Sequence, residues 1–351
     1  MNEILSPKAV QSLLLWYQQN KRDLPWRHTS DPYQIWISEI MLQQTRVEAV
    51  KPYYARFLEA CPNVAALAGI PEERLMKLWE GLGYYSRARN LQKAARVVVE
   101  QHGGIMPKTY EELLELPGIG EYTAGAIASI AYGERVPAVD GNVLRVLARV
   151  RATEADITLS ETKKEFRQEL LRVVPKEAGD FTQSLIELGA TVCAPNREPT
   201  CNACPLMVCC AAYREQKTQH IPVRSSKKPR RIEEKTVFLI RDGDRTALSK
   251  RPSKGLLSGL YELPNTPGHL GESEVLAHLR SLGFEPLRIE RLENAKHIFT
   301  HIEWHMIAYD VRITPEFDGL HGKSGMLLIP NEELHQSYAI PSAFGAYVKY
   351  L

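Results

Sequence analysis

Two carboxylates and a group of thiols are the residues of this chain whose types and spacing could do chemistry. Glu39 stands in Ile35-Trp36-Ile37-Ser38-Glu39-Ile40-Met41-Leu42, so at helical spacing its carboxyl lies against apolar neighbours. Such a carboxyl is either paired with a structural partner or has a raised pKa suited to acid work. Asp140 stands in Val139-Asp140-Gly141-Asn142-Val143, a carboxylate in an apolar segment that would serve equally as a helix N-cap. Five of the six cysteines fall between positions 193 and 210. Cys193-x7-Cys201-x2-Cys204-x5-Cys210 suits a tetrahedral thiolate site, for zinc or for an iron–sulfur cluster. Without a secretory signal, such a cluster reads as a metal site before it reads as disulfides.

Local signals define the elements that must hold these groups. Ser6-Pro7 opens an amphipathic N-terminal helix, and Asp31-Pro32 is an N-cap and N1 pair for a helix expected over 32–45. Thr109 and Glu112 have capping-box spacing. Pro117, Gly118 and Gly120 then force a tight hairpin before a second helix over Glu121–Tyr132, with Gly133 as its stop. Free N–H groups in Gly118-Ile119-Gly120, at the start of that helix, make a phosphate cradle. Gly81-Leu82-Gly83-Tyr84-Tyr85 is a turn with Arg87 and Arg89 behind it. It is either a helix cap with core tyrosines or a wedge that unstacks a duplex, with arginines on phosphate.

At 351 residues the chain has room for two or three domains. No apolar run is long enough to span a membrane. The N-terminus lacks the features of a signal peptide, so a cytoplasmic protein is expected. The net charge of +2 does not mark a nucleic-acid binder, but its distribution is uneven: residues 217–231 carry six basic and no acidic side chains. Any DNA affinity must therefore come from placed groups and this basic linker. From 232 onward the pattern changes to strands. Lys235–Arg241 and Thr246–Arg251 flank a hairpin turn at Asp242-Gly243-Asp244, a helix covers Glu272–Leu282, and more strands run through 286–314.

The hairpin, the Gly/Pro-rich loop and Asp140 together resemble the endonuclease III superfamily of base-excision DNA glycosylases. Ile37-Ser-Glu-Ile-Met-Leu-Gln-Gln-Thr45, Leu24-Pro-Trp-Arg27 and Trp79-Glu-Gly-Leu-Gly-Tyr-Tyr-Ser-Arg-Ala-Arg-Asn90 resemble, more narrowly, the MutY-type adenine DNA glycosylases. The resemblance runs from about residue 20 to the C-terminus. It implies a multidomain fold: an all-α helix-hairpin-helix glycosylase with an iron–sulfur loop, followed by an α+β Nudix-like domain. The glycosylase region would span 1–216, with a six-helix barrel over about 23–133 and a cluster subdomain built from the N-terminal helix and about 134–216. Residues 217–231 would be the linker and 232–351 the Nudix-like, lesion-recognition domain.

By the same resemblance Glu39 is the acid that protonates the leaving adenine and Asp140 stabilises the sugar cation, with Tyr122 and Asn142 lining the sugar and water site. Trp26, Arg27 and Gln183 would hold the adenine. Gln44, Thr45, Leu82 and Tyr84 would probe or enter the base stack. Gly118, Ile119, Gly120 and Arg87 would meet the DNA backbone. His297-Ile-Phe299-Thr300-His301 resembles the Phe-Ser-His loop with which the family touches 8-oxoguanine, with Thr300 in place of serine. Cys193, Cys201, Cys204 and Cys210 would hold a [4Fe–4S] cluster, the x5 spacing choosing Cys210 over Cys209 and the loop placing Arg197 near phosphate. The first cysteine gap is one residue longer than the family pattern. The implied partner is duplex DNA bearing adenine opposite 8-oxoguanine or guanine, the implied state a monomer reaching the nucleoid through DNA. Bifunctional relatives carry a lysine where this chain has Tyr122, so base removal without strand cleavage is expected. The 272–282 helix lacks the acidic pairs a Nudix hydrolase needs for magnesium, which reads the last domain as a binding module. The competing readings are an endonuclease III-like pyrimidine glycosylase/lyase and a non-enzymatic iron–sulfur protein that scans DNA.

Overall fold

A computed structural model describes residues 3–195, 197–225, 229–314 and 325–351. The chain divides into two compact units, Met1–Gly69 with Asn90–Ser226, and Ile70–Arg89 with Lys227–Leu351. The segment 70–89, expected inside the glycosylase region, therefore packs with the C-terminal residues.

The first unit is helical. Its N-terminal helix, Pro7–Asn20, is capped by the Ser6 hydroxyl. The Pro32–Leu42 helix is capped by Asp31, whose carboxylate accepts the Tyr33 N–H at 2.9 Å. It ends at Leu42, three residues short of the sequence expectation, because the chain turns through Gln43 and Gln44 sits at φ +60°. The hairpin forms as read. Thr109 and Glu112 complete a capping box on Tyr110–Leu114, Gly118 turns at φ +78°, and Glu121–Tyr132 follows to a left-handed Gly133. A Cβ at Gly118 would run into the Asn90 side chain, so this turn needs glycine for space as well as conformation.

The Gly141–Arg151 and Ala178–Thr191 helices pack with the N-terminal helix around Leu13, Val143, Leu147, Phe166, Phe181 and Leu188, all nearly or fully buried. The linker expectation changes here. Ile221 is buried, Ile157 donates to the Val223 carbonyl at 3.2 Å, and Asp156 accepts from the Ser225 N–H and hydroxyl. Residues 217–225 of the expected linker are thus fixed to the helical unit; residues 226–228 lie outside the described ones.

The second unit contains a mixed sheet of β1 (Arg231–Asp242), β2 (Arg245–Lys250), β3 (Tyr261–Glu262), β4 (Asn265–Pro267), β5 (Pro286–Arg291), β6 (Ala295–Ile298), β7 (Ile302–Ile313) and β8 (Met326–Pro330). β1 and β7 run parallel at the centre and the remaining pairs are antiparallel. Period-two alternation splits β1 between two cores. Val237 and Leu239 face Trp304, Phe344 and Tyr347, while Phe238 and Ile240 face Val275 and Leu279 of the Glu272–Ser281 helix. In that helix Glu274 is spent on the Gly271 N–H at 2.7 Å. Among the described residues no helix is long and apolar enough to cross a membrane.

The Glu121–Tyr132 helix is lined with small buried residues, Ala124, Gly125, Ala126 and Ala128, so the neighbouring backbone approaches closely. A Cβ at Gly125 would meet the Pro137 carbonyl oxygen. Gly125→Ala is expected to destabilise the protein by about 1–3 kcal/mol through overpacking, read as a fall in the midpoint of thermal unfolding. An unchanged midpoint would show that this backbone can yield.

Candidate active site

In the first unit, a cleft of about 470 Å³ is lined by Trp26, Arg27, Glu39, Gln44, Thr45, Tyr122, Asp140, Asn142 and Gln183, among others. These expected site residues are therefore brought to one place from five separate stretches of chain. Glu39 projects from the middle of the Pro32–Leu42 helix and is 8% exposed. Its Oε2 accepts the Tyr122 hydroxyl at 2.6 Å. Burial pushes its carboxyl up to about 7; the Tyr122 hydrogen bond opposes this and the Asp140 charge adds to it. Tyr122 itself is raised well above the ordinary phenol value, by burial first and then by the two carboxylates. It stays a donor, and Glu39 is a carboxyl poised to hold or give a proton near neutrality.

Asp140 caps the Gly141–Arg151 helix. Its Oδ1 accepts the N–H groups of Asn142 and Val143 at 2.8 Å each, and its Oδ2 accepts the Asn142 side-chain amide at 2.7 Å. Burial raises its pKa, while these three hydrogen bonds and the Arg145 charge pull the other way. The cap fixes the carboxylate rigidly at the positive end of a helix dipole. Asn142 is in turn held by Arg145, whose Nη2 donates to its Oδ1 at 2.8 Å and to the Gly189 carbonyl at 2.6 Å.

Glu187 was not singled out by sequence. It is fully buried, and it accepts from the Arg22 Nε at 2.7 Å and Nη2 at 2.8 Å and from the Arg27 Nη2 at 2.7 Å. Burial alone would raise its pKa, but the hydrogen bonds from Arg22 and Arg27 hold it at about 2. Arg27 is thereby committed to an ion pair at the cleft wall as well as facing the cleft. The signal was present, since Glu187 interrupts Leu185-Ile-Glu-Leu-Gly189 as Glu39 interrupts its own apolar run.

The hairpin places Gly118 and Gly120 around a buried Ile119, whose N–H is used internally by the Leu116 carbonyl at 3.1 Å. No side chain caps the following helix at Gly120, which leaves its first N–H groups available to an anion.

In the second unit, Gly81 and Gly83 turn at φ +95° and +68°, with Tyr84 half exposed at φ +48°. Leu82 is buried. Arg87, expected on phosphate, instead lies beneath this turn: its Nη2 donates to the carbonyls of Leu82 at 3.0 Å and Gly83 at 3.1 Å. Burial lowers its pKa to about 10. Its role is to hold the turn, because the Nη2 spent on these two carbonyls faces into the protein and not toward DNA. A second cleft, of about 450 Å³, is lined by this turn together with Phe299, Thr300 and His301, and the Tyr84 and Thr300 hydroxyls are 3.0 Å apart.

The expected cluster ligands share one loop. Arg149, buried on the Gly141–Arg151 helix, reaches the Cys193 Sγ with Nη1 at 3.1 Å and the Ile221 carbonyl with Nε at 2.8 Å. Cys210 donates its thiol to the Arg149 carbonyl at 3.4 Å. Burial pushes the Cys204 thiol up to about 12, with Cys193, Cys210 and Cys201 close enough to add to it. Cys209 is exposed, its thiol on the Leu206 carbonyl. Arg197 is exposed and donates to the Thr191 carbonyl. Among the described residues no three His, Cys, Asp or Glu side chains are arranged to hold a metal ion.

Residues 37–176 match the profile of the HhH-GPD superfamily base excision DNA repair proteins and residues 236–350 that of the NUDIX domain. An adenine DNA glycosylase of Mus musculus is 39% identical, the match covering 83% of this chain and 68% of the relative. One of Homo sapiens is 35% identical over 96% and 73% of the two chains, and one of Buchnera aphidicola 35% identical over 83% and 82%. Among solved structures, a thermostable thymine-DNA glycosylase is similar at 32% identity and a TM-score of 0.54, over 59% of this chain and 95% of that one.

The Ala178–Thr191 helix passes so close to Asn142 that a Cβ at Gly189 would sit 2.5 Å from the Asn142 Cβ. Gly189→Ala is expected to displace Asn142 and with it the side-chain bond to Asp140. Because such a shift spoils geometry at the cleft, adenine release should fall by about a hundredfold or more in a protein that still folds by circular dichroism. Full activity in the variant would show that Asn142 does not need this position.

Proposed function

The chain belongs to the adenine DNA glycosylases, enzymes of base excision repair, and on that footing we propose how its cleft removes adenine and which mispairs it prefers. The observation that carries the reading is a protonatable, buried Glu39 bonded to Tyr122 and sharing one cleft with Asp140. An adenine reaching these groups must be flipped out of the duplex. Adenine is a poor anionic leaving group, so Glu39 delivers its proton to a ring nitrogen as the N-glycosidic bond breaks. The bonding pair leaves with the base, and the sugar becomes an oxocarbenium ion. Asp140, fixed by its three hydrogen bonds, stabilises that cation electrostatically. Water then adds to the anomeric carbon beside Asn142 and Tyr122 and gives its proton to the Glu39 carboxylate, restoring the acid. Tyr122 offers a phenol where a Schiff base to the sugar would need an amine, so the reaction ends at the abasic site.

The preferred substrate is adenine opposite 8-oxoguanine, with adenine opposite guanine second. This rests on the cleft shared by Tyr84, Phe299, Thr300 and His301 in the second unit. 8-Oxoguanine differs from guanine by an N–H donor and a carbonyl at the imidazole edge, which polar side chains read. The first N–H groups of the helix that starts after Gly120 meet a backbone phosphate. Cys193, Cys201, Cys204 and Cys210 would hold a [4Fe–4S] cluster, whose contribution would be a rigid crosslink of the thiol-bearing stretch. What supports this is the chemistry of the donors and not their arrangement: four thiols fall within one short stretch of chain, and Arg149 beside Cys193 offers positive charge to a thiolate.

Single-turnover adenine release on duplexes with 8-oxoguanine or guanine opposite the adenine tests the reading. The Glu39 pKa is raised, so its proton is present below about pH 7 and lost above it. The rate is expected to be level below that point and to fall about tenfold per pH unit above it. Glu39→Gln should lose at least about a hundredfold while still binding the mispair. A flat profile to pH 9, or wild-type release by the variant, would remove Glu39 from the acid role. Purified protein is expected to contain about four iron and four sulfide per chain; stoichiometric zinc without iron would overturn the cluster.

A further inference from the structure

The turn that carries Tyr84 is fastened to the C-terminal residues by an ion pair with no place in the chemistry. Lys77 and Glu80 pair at 2.7 Å, three residues apart. Each also grips the backbone of the extended segment 338–340. The Lys77 Nζ donates to the Tyr338 carbonyl at 3.0 Å, and the Glu80 Oε1 accepts the Ile340 N–H at 2.8 Å. One C=O and one N–H, two residues apart, are met by a cation and an anion, as a neighbouring strand would meet them. Ile340 is buried, so its N–H has little access to water and depends on Glu80.

Both ends of this clamp lead into the reading cleft. Glu80 immediately precedes Gly81-Leu82-Gly83-Tyr84, and Ile340 immediately precedes Pro341-Ser342-Ala343; both runs line the cleft, with Thr300 on a third side. The Tyr84 and Thr300 hydroxyls are in hydrogen-bond contact. The segment 338–340 is therefore held directly beside two of the runs that line this cleft.

We propose that Glu80, with Lys77, is a positioning residue for lesion discrimination: by clamping the Tyr338–Ile340 backbone it sets the distance between Tyr84 and Thr300 at which 8-oxoguanine is told from guanine. The inference rests on the C-terminal reading loop of the proposed function. Glu80 touches neither base nor sugar, and its effect falls on the partner base, not on the adenine cleft in the other unit.

The test compares Glu80→Ala, Glu80→Gln and Lys77→Gln in the full-length protein. The readout is the ratio of adenine release opposite 8-oxoguanine to release opposite guanine, with exchange of the Ile340 amide measured in parallel. Glu80→Ala leaves that N–H unpaired, and the ratio is expected to fall about tenfold, the worth of one hydrogen bond, with faster Ile340 exchange. Glu80→Gln keeps an acceptor and should retain the ratio within about threefold. Lys77→Gln, which keeps a donor but removes the ion pair, should behave like Glu80→Gln. A ratio unchanged in Glu80→Ala despite faster exchange overturns the inference, and so does an equal loss in all three variants, which would make the pair a general stabiliser. Should Glu80→Ala not fold, Lys77→Met removes the other half of the clamp, and an unchanged ratio there overturns the inference as well. A wild-type protein that fails to distinguish the two duplexes refutes the reading loop itself, a separate result.

Discussion

The structure depends on keeping one carboxyl out of water. Glu39 sits in a helix whose other side chains are mostly apolar and buried, and the lost hydration moves its pKa from an ordinary 4.5 to about 7. That difference corresponds to about 3 kcal/mol in favour of the neutral acid, which an exposed glutamate would not have. Desolvation alone would leave the group without direction. The Tyr122 hydroxyl, itself held as a phenol by burial, gives the carboxyl one fixed orientation. The Glu121–Tyr132 helix must then approach closely, which explains its run of alanine and glycine.

The second carboxylate is handled by the opposite means. Asp140 is bonded three times at a helix N-terminus, so its position is set by backbone geometry. The helix it caps carries two buried arginines one turn apart. Arg145 ties Asn142 to the Gly189 and Cys193 carbonyls, and Arg149 ties the Cys193 thiol to the segment ending in Ile221. A single helix thus connects the sugar-side carboxylate, the thiol loop and the anchored residues 217–225. Buried guanidiniums suit this work because each offers several donors in a fixed plane to carbonyls that would otherwise be unpaired.

The 70–89 segment shows how sequence continuity and packing part company. Its Trp79–Asn90 motif reads as part of the glycosylase, yet Lys77, Glu80 and Tyr84 of the segment find partners at Tyr338, Ile340 and Thr300. Arg87 illustrates the same point at one residue. An arginine behind a glycine turn reads as a phosphate ligand, and only the fold shows that its Nη2 is already used by two carbonyls of the turn.

The sequence by itself determined the elements with local causes: the Asp31 and Thr109 caps, the Gly118 hairpin, the Gly133 stop and the alternation of β1, because capping, left-handed turns and strand periodicity depend on neighbours within a few residues. It also marked Glu39, Asp140 and the four thiols, since a polar group in an apolar run, or cysteines at short spacing, is visible without coordinates. Tertiary structure alone decided the rest. That Tyr122 meets Glu39 across 83 residues, that Glu187 binds both Arg22 and Arg27, and that Glu80 reaches the Ile340 amide 260 residues away are facts of packing. No local pattern encodes such partners, because the cost of burying a charge is met wherever the folded chain brings a complement to it, and sequence distance does not enter that balance.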